Sequence, residues 1–429
     1  MATAEATLPL GATVAERESA SDQVSQWRLM WWRFLQNRLS VAGGIMLILM
    51  YGTALIAPFV SPYDPNELDT AHSFAEPTTI RWQGLRPTVC PLIQTLDTYN
   101  FKFDYKEDCA RAVPIGLLVQ GSKWRIGPIA SDRHLFGIDK ATAEEALKRV
   151  APSAATGASG ERGVGVGSAA VSGSGGANFD PLAALFANAA TAATAPPQVP
   201  KLYLMGADQQ GRDLFSRILE GSRVSLTIGL VGVVLSLIIG SLIGAASGYL
   251  GGTTDNVIQR LIEIVRSMPT IPLWAAIAAA LPRGVTVVQR YFLITVVLSL
   301  VNWTGLAREL RGKVLAYRQL DYIAAARLAG SSHLRTIVTH MLPNAASHII
   351  VVATLAVPGS ILGETALSFL GLGMLPPAVS WGVLLKDTQQ IDSLLLHPWM
   401  LWPALPVIVT VASYFLLGDG LRDAIDPYS

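Results

Sequence analysis

Six apolar stretches of bilayer-scale length run along the chain, and polar stretches of very unequal length separate them. Residues 41–60 (VAGGIMLILMYGTALIAPFV) are uncharged over about the ~20 residues that a helix needs to cross hydrocarbon, and Pro58 with SPYDP (61–65) closes them. The second run is 224–248. The third, 269–282 with the apolar residues before it, is interrupted by Pro269 and Pro272. Residues 291–307, 346–370 and 399–418 complete the set. Ahead of the first run, WRLMWWRFLQNRLS (27–40) interleaves Trp27, Trp31 and Trp32 with Arg28, Arg33 and Arg38. That mixture predicts a helix at headgroup level, continuing the 1–40 tail into the first span. Six crossings put both termini on one side.

The connection from 61 to 222 is very long, and its pattern changes partway. FKFDY (101–105) alternates, and PIGLLVQ-GS-KWRIG predicts a hairpin turning on Gly121-Ser122. Residues 61–150 are therefore expected to be a small β-rich insertion. Residues 151–202 are rich in Ala, Gly, Ser and Pro and hold too few large apolar side chains to offset chain entropy, so a flexible segment is expected. HLFGIDK (134–140) and YLMGADQQGRD (203–213) form a near-repeat, open to duplication and to chance. The only two cysteines, Cys90 and Cys109, share this connection. A disulfide and a pair of free thiols both fit, with the bridge preferred if the segment lies outside the cytoplasm.

Composition agrees with an integral membrane protein. Of 429 residues 51% are hydrophobic and 15% charged, well below the quarter or so that is charged in soluble domains. The N-terminus has neither a basic n-region nor an apolar h-region, so no cleaved signal peptide is expected. Net charge is +1, which says nothing about a polyanionic partner, because the placement of the charges matters more than their sum; no nucleic-acid partner is expected. Arg28, Arg33, Arg38, Arg260, Arg266, Arg308, Arg311, Lys313, Arg318, Arg327, Arg335 and Arg422 fall on one side of a six-span chain, the cytoplasmic side by the positive-inside rule. Arg283 and Arg290 are the exceptions.

Candidate chemistry is sparse. The chain has no phosphate-binding G-x-x-x-x-G-K-[ST] loop, no H-E-x-x-H and no paired C-x-x-C, so neither a catalytic site nor a metal or cofactor site is expected. His333, His340 and His348 approach helical spacing but flank a proline, which favours capping or interface roles. Glu364 lies inside an apolar run, where a functional acid and a structural hydrogen bond are both open. Gly240, Gly244, Gly248 and Gly252, four residues apart, predict a helix groove for close packing in lipid.

The stretch DYIAAARLAGSSHLRTIVTHMLPN (321–344) is too polar to cross and too ordered in pattern for a loop. Asp321 is expected to cap a helix over Tyr322–Ala329, Gly330 to end it, and Ser331 or Ser332 to start a second one running to Pro343. Ala324, Ala325 and Ala326 give the first helix a face without bulk, with Arg327 at its rim. Such a face suits a closely approaching partner, and equally an amphipathic connector resting on headgroups.

A resemblance separates these readings. Asp321, Tyr322, Ala325, Ala326, Arg327, Gly330, His340, Leu342, Pro343 and Asn344 match the EAA loop (here 315–345) of ABC-importer permeases of the dipeptide/oligopeptide/nickel branch. Ala324 stands where the loop's naming glutamate would be. MGADQQGRDLFSRILEGSRVSLTIGL (205–230), GYLGGTTDN (248–256), ILGETALSFLGLG (361–373), PPAVSWG (376–382) and LLGDGLRDAIDP (416–427) resemble the same family in the same order, whereas most of 66–202 does not.

The resemblance implies a type I permease fold, all-α and polytopic, with its core over 203–429. It also implies a non-enzymatic C-type permease subunit in the bacterial inner membrane with both termini cytoplasmic. The partners implied are a homologous second permease, one or two cytoplasmic ATPases that carry ATP and Mg, a periplasmic solute-binding protein and membrane lipid. The solute would be a peptide or, as in other relatives, an opine, sugar, glycoside or nickel. The competing reading is a membrane-tethered periplasmic binding or sensor protein, for which one span would suffice.

Overall fold

The computed structural model describes residues 26–83, 86–97, 102–109, 112–138, 201–282 and 284–425. The N-terminal tail, Arg283 and the expected flexible segment up to 200 lie outside them. Contacts divide the chain into two compact units, Met1–Ala57 with Arg217–Ser429, and Pro58–Ser216.

The first unit is helical. A helix α1 (Gln26–Gln36) stops where Asn37 caps α2 (Arg38–Leu55), its side chain accepting from the Ser40 N–H. Then come α3 (Leu214–Leu250), α4 (Gly252–Ser267), α5 (Thr270–Ala279), α6 (Val287–Tyr317), α7 (Asp321–Leu328) and α8 (His333–Arg335). The unit closes with α9 (Ala346–Phe369), α10 (Trp381–Lys386) and α11 (Ala404–Ile425). The helices α2, α3, α6 and α9, and α11 with its preceding turn, are long and apolar enough to cross a membrane.

The run expected to cross at 269–282 does not do so alone. Its helix α5 has 10 residues, about 15 Å at 1.5 Å each, against ~30 Å of hydrocarbon. It joins α4 at an 88° bend, placed where Pro269 cannot continue a helix. Packing lays the bent pair back along α6. A Cβ on Gly240 would lie 2.7 Å from the Trp303 carbonyl oxygen, one on Gly244 would collide with Ala307, and one on Gly248 would lie 2.8 Å from the Arg311 carbonyl. Partner numbers rise with the glycine numbers, so α3 and α6 are parallel. Chain leaving the end of α3 must return to the start of α6, and α4 with α5 does this. Asp255 of α4 binds Arg311 near the end of α6, whereas Trp274 and Ala278 of α5 pack in a cluster with Ile228 and Ile294, in the first halves of α3 and α6.

The other seams are antiparallel. Ser225 meets Glu364 while Gly229 meets Ile361 and Val357, which reverses α9 against α3. Gly43 of α2 lies against Ser413 and Leu416 of α11, and the hydroxyls of Tyr51 and Tyr414 are 2.7 Å apart. Gly252 stands outside the glycine groove read from the sequence. It has φ +57° with open space beyond its Cβ position, and with Gly251 (φ +68°) it makes the turn from α3 into α4.

Two charges that stand out from the sequence pattern have structural partners. Glu364 is fully buried and accepts from the Ser225 hydroxyl (3.0 Å) and the Ser368 hydroxyl (2.7 Å). Both serines also accept a backbone N–H, from Trp381 and Met374, which orients their protons toward the carboxylate. The acid thus fastens the 374–381 segment to α3 and α9. Arg290, against the charge bias, is buried with its Nε donating to the Gly373 carbonyl at 2.7 Å and Nη2 to that of Leu372 at 3.4 Å. A cation there complements the C-terminal end of α9.

The second unit carries β1 (Ile80–Gln83), β2 (Arg86–Val89), β3 (Leu92–Asp97), β4 (Lys102–Glu107), β5 (Val113–Ile126) and β6 (Ile129–Ile138). An antiparallel sheet runs β1-β2-β5-β6, and β3 pairs with β4. Cys90 and Cys109 are bonded to each other. The hairpin does not turn at Gly121-Ser122. These residues lie within β5 at a register shift between Gln120 and Trp124, and a side chain at Gly121 would strike the His134 ring. The turn falls at Gly127, whose φ is +57°, as a tight turn requires. HLFGI sits in β6 whereas YLMGADQQGRD forms turns, so the near-repeat has no shared structure. Residues 201–216 belong to this unit rather than to a core beginning at 203, because the chain at 69–78 hydrogen-bonds along 203–210: Thr78 N–H to Tyr203, Ala207 N–H to Ala75, Phe74 N–H to Asp208 and Asp69 N–H to Gln210.

Packing and charge can each be tested. Gly244→Val should lower the thermal stability of the purified chain by ~1–3 kcal/mol through overpacking. Gly312→Ala, with open space around it, should be neutral or gain ~0.5–1 kcal/mol of helix propensity. In the second unit, burial pushes the Asp69 carboxyl up, but the His72 hydrogen bond and the charges of His72 and Lys201 outweigh it and hold it at about 2. Burial lifts Asp213 to about 6 despite its hydrogen bonds to Ser216. Stability from Asp69 is present above pH ~4 and lost as pH falls toward 2; that from Asp213 is present below ~4 and lost as pH rises toward 6. Asp213→Asn should therefore flatten the decline of melting temperature between pH 4 and 6.

Candidate functional site

The segment 321–345 is built from two short helices and a widened turn. Asp321 is the first residue of α7 rather than its cap: Leu320 holds the cap position, with no side-chain bond. The acid instead faces the positive end of the helix dipole. Gly330 has φ +82°. The Ser331 N–H reaches the Ala326 carbonyl (3.0 Å) and the Gly330 N–H that of Arg327 (2.9 Å), the paired bonds of a Schellman termination. Ser332 caps α8 by accepting from the Arg335 N–H.

Beyond α8 the chain takes a π-type turn over Thr336–Met341, with Leu342 N–H bonded to the Ile337 carbonyl at 2.9 Å. Pro343 breaks the helix after this turn, since it brings no N–H and cannot continue the ordinary ladder. The Asn344 amide donates both hydrogens, to the His340 carbonyl at 2.8 Å and to the Tyr322 hydroxyl at 3.0 Å. The Leu-Pro-Asn ending therefore interrupts the helix, satisfies a stranded carbonyl and ties α7 to the start of α9.

A second tie runs to α3. Ile323 is the one buried residue of α7 and packs with Ala245, Tyr249, Val314, Ile337 and Met341, with Leu342 partly buried against the cluster. One turn on, the Arg327 guanidinium lies 4.7 Å from the Tyr249 ring centre and its Nε donates to the Tyr249 hydroxyl at 3.1 Å. His333 Nδ1 lies 3.3 Å from the same hydroxyl. Arg327, read from the sequence as a rim contact for a partner, makes these contacts within the chain while its residue stays exposed. Tyr249 carries no motif of its own, and its only sequence signal is its place in GYLGG, immediately after the last packed glycine. Near it, Asp255 accepts both Arg311 bonds (2.6 and 2.5 Å) and a bond from Ser247.

The outward face is apolar. Ala324 and Ala325 are exposed and Ala326 is half-buried, flanked by Leu328 at 91% exposure and Leu334 at 67%. No sequence pattern singles out these two leucines. The three histidines do not converge: His333 goes to Tyr249, His348 lies 3.7 Å from Glu309, and His340 contributes its carbonyl.

Residues 222–428 match the family of binding-protein-dependent transport system inner membrane components, and residues 25–77 match the N-terminal transmembrane domain of oligopeptide transport permease C. The oligopeptide transport system permease protein OppC of Haemophilus influenzae is 39% identical over 236 residues, 54% of this chain and 73% of that protein. The chain belongs to this permease family. OppC of Bacillus subtilis is 36% identical over 54% of the chain and 73% of its own length. The glutathione transport system permease protein GsiD of Pectobacterium atrosepticum is 36% identical over 52% and 72%. The permease is a multi-pass membrane transport subunit and not an enzyme. Both family matches leave out 78–221, the stretch that holds the β-rich unit's strands.

Asn344→Asp should loosen α7, because it replaces two donors with an acceptor facing the His340 carbonyl. Trypsin cleavage at Arg327 and Arg335 in native membranes should accelerate several-fold. Tyr322→Phe, which removes one bond worth ~1 kcal/mol, should show a smaller change.

Proposed function

We propose that the permease forms half of the pathway of an ATP-driven importer of short peptides, and that α7 with α8 is the surface on which a cytoplasmic ATPase acts. A homologous second permease completes the pathway, an external binding protein delivers the solute, and both termini are cytoplasmic. The observation that carries this reading is the double fastening of α7, through Tyr322–Asn344 to α9 and through Arg327–Tyr249 to α3. A helix that presents exposed leucines outward and is fixed to two crossings on its other side is arranged to pass a displacement inward. ATP-dependent closure of the ATPases then needs only to favour one of two arrangements of the crossings. Peptides are the favoured solute because the matched relatives carry oligopeptide, dipeptide and glutathione in their names. A tethered sensor would have no use for six crossings or for this fastening.

Affinity purification of the tagged chain from native membranes in mild detergent tests the assembly. A second permease and one or two ATPases should come with it, and recovery of the chain alone, where a known ABC complex survives, sinks the proposal. The lever is tested by Gly330→Trp and Tyr249→Leu in the reconstituted complex. The first forces a large side chain onto a backbone at φ +82°, and the second removes the hydroxyl and the ring from Arg327. Both should leave the subunit in the membrane and the ATPase running while the ATP spent per labelled peptide imported rises several-fold. An unchanged ratio would remove the coupling role.

A further inference from the structure

The second unit carries a feature that neither family match includes. At the tip of the β5–β6 hairpin, Lys123, Trp124, Arg125, Ile126, Gly127, Pro128 and Ile129 run in sequence. Lys123 and Arg125 are exposed and form no ion pair with a described residue, and Ile129 is 62% exposed. Asp132, on the facing strand, is held by the Gln120 amide at 2.7 Å. Trp124 is fixed by its indole N–H to the Arg133 carbonyl (2.9 Å) and by edge contact with Phe59 at 6.0 Å.

Contacts inside the unit give the direction of this tip. Phe59 meets Trp124, which pairs with Ser131. The Ser61 carbonyl meets His134 Nδ1, and Pro62 meets the position of a Cβ on Gly137. As the chain runs from 59 to 62, its neighbours on β6 run from 131 to 137. The tip therefore extends past Phe59 toward Pro58, the side on which the unit joins the first crossing. At ~3.3 Å per strand residue, Ile129 lies about 7 Å beyond Ser131. Phe59 follows Leu55, the end of α2, by only four residues of chain.

We propose that this hairpin tip rests on an anionic phospholipid surface, with Trp124, Ile126 and Ile129 at the headgroup–acyl boundary and Lys123 and Arg125 over phosphate groups. Tryptophan beside cations is the side-chain mixture that such an interface selects. The electrostatic part is roughly five-fold in partitioning per cation near an anionic surface and falls off within a Debye length. An acidic patch on a binding protein would also attract the cations, and the test separates the two.

Because Cys90 and Cys109 are bonded to each other, Ile129→Cys provides a single reactive thiol on the full chain. An environment-sensitive fluorophore placed there would be read after reconstitution in vesicles of phosphatidylcholine alone and of phosphatidylcholine with one-third phosphatidylglycerol, without any binding protein. The expected result is a blue-shifted emission, quenched by headgroup-level quencher lipid, in the phosphatidylglycerol vesicles. Lys123→Glu with Arg125→Glu should reduce that bound population ten-fold or more, while the second unit keeps its disulfide and its resistance to protease. Water-like emission in both vesicles overturns the proposal. So does a blue shift that is indifferent to lipid charge and to charge reversal, or one that appears only when a binding protein is added.

Discussion

Everything in the helical unit depends on how closely two backbones approach. In lipid there is no hydrophobic drive to bring helices together, so contact rests on dispersion and on small residues that let main chains meet. Gly240, Gly244 and Gly248 provide this for α3 and α6, with main-chain atoms of 303–311 occupying the space that side chains would fill. The approach fixes the register of the two helices, and the register brings Asp255 to Arg311 and leaves Tyr249 just past the last contact. The seat of α7 is therefore set by the same three glycines that set the bundle.

This arrangement gives the 321–345 segment its mechanical character. It is neither a floppy connection nor a simple extension of α6. Ile323 anchors it in a cluster shared by α3, α6 and the start of α9, and two directional bonds orient it there. The two fastenings reach crossings of opposite direction, α3 and α9. The π-type turn before Pro343 breaks the ordinary helical ladder between α8 and α9, so α7 is tied to the start of α9 by the Asn344–Tyr322 bond and not by a continuous helix.

Much of this is legible in the sequence, and the misses have physical causes. Long apolar runs, the glycine spacing and the Asp-Tyr to Leu-Pro-Asn pattern are local signals, and they lead to the right elements. Gly252 misleads because four-residue spacing does not reveal where a helix ends. The hairpin turn is misplaced because Gly121-Ser122 looks like a turn pair, whereas a bulge opposite His134 also needs a residue without a side chain. Arg327 and Tyr249 are 78 residues apart, and no local pattern announces such a contact. Arg290 looks like an exception to the charge bias only because its carbonyl partners at 372 and 373 are equally remote in sequence.

The way the second unit is spliced in has a practical side. The family match stops at residue 77, and at the next residue the Thr78 N–H meets the Tyr203 carbonyl at 2.8 Å. The inserted chain thus leaves and re-enters through neighbouring, hydrogen-bonded segments. Whatever lies between them closes a loop whose ends are already held together, and the cost of lengthening such a loop grows only slowly. The join therefore marks where an engineer would fit a reporter domain, with its two ends already held side by side.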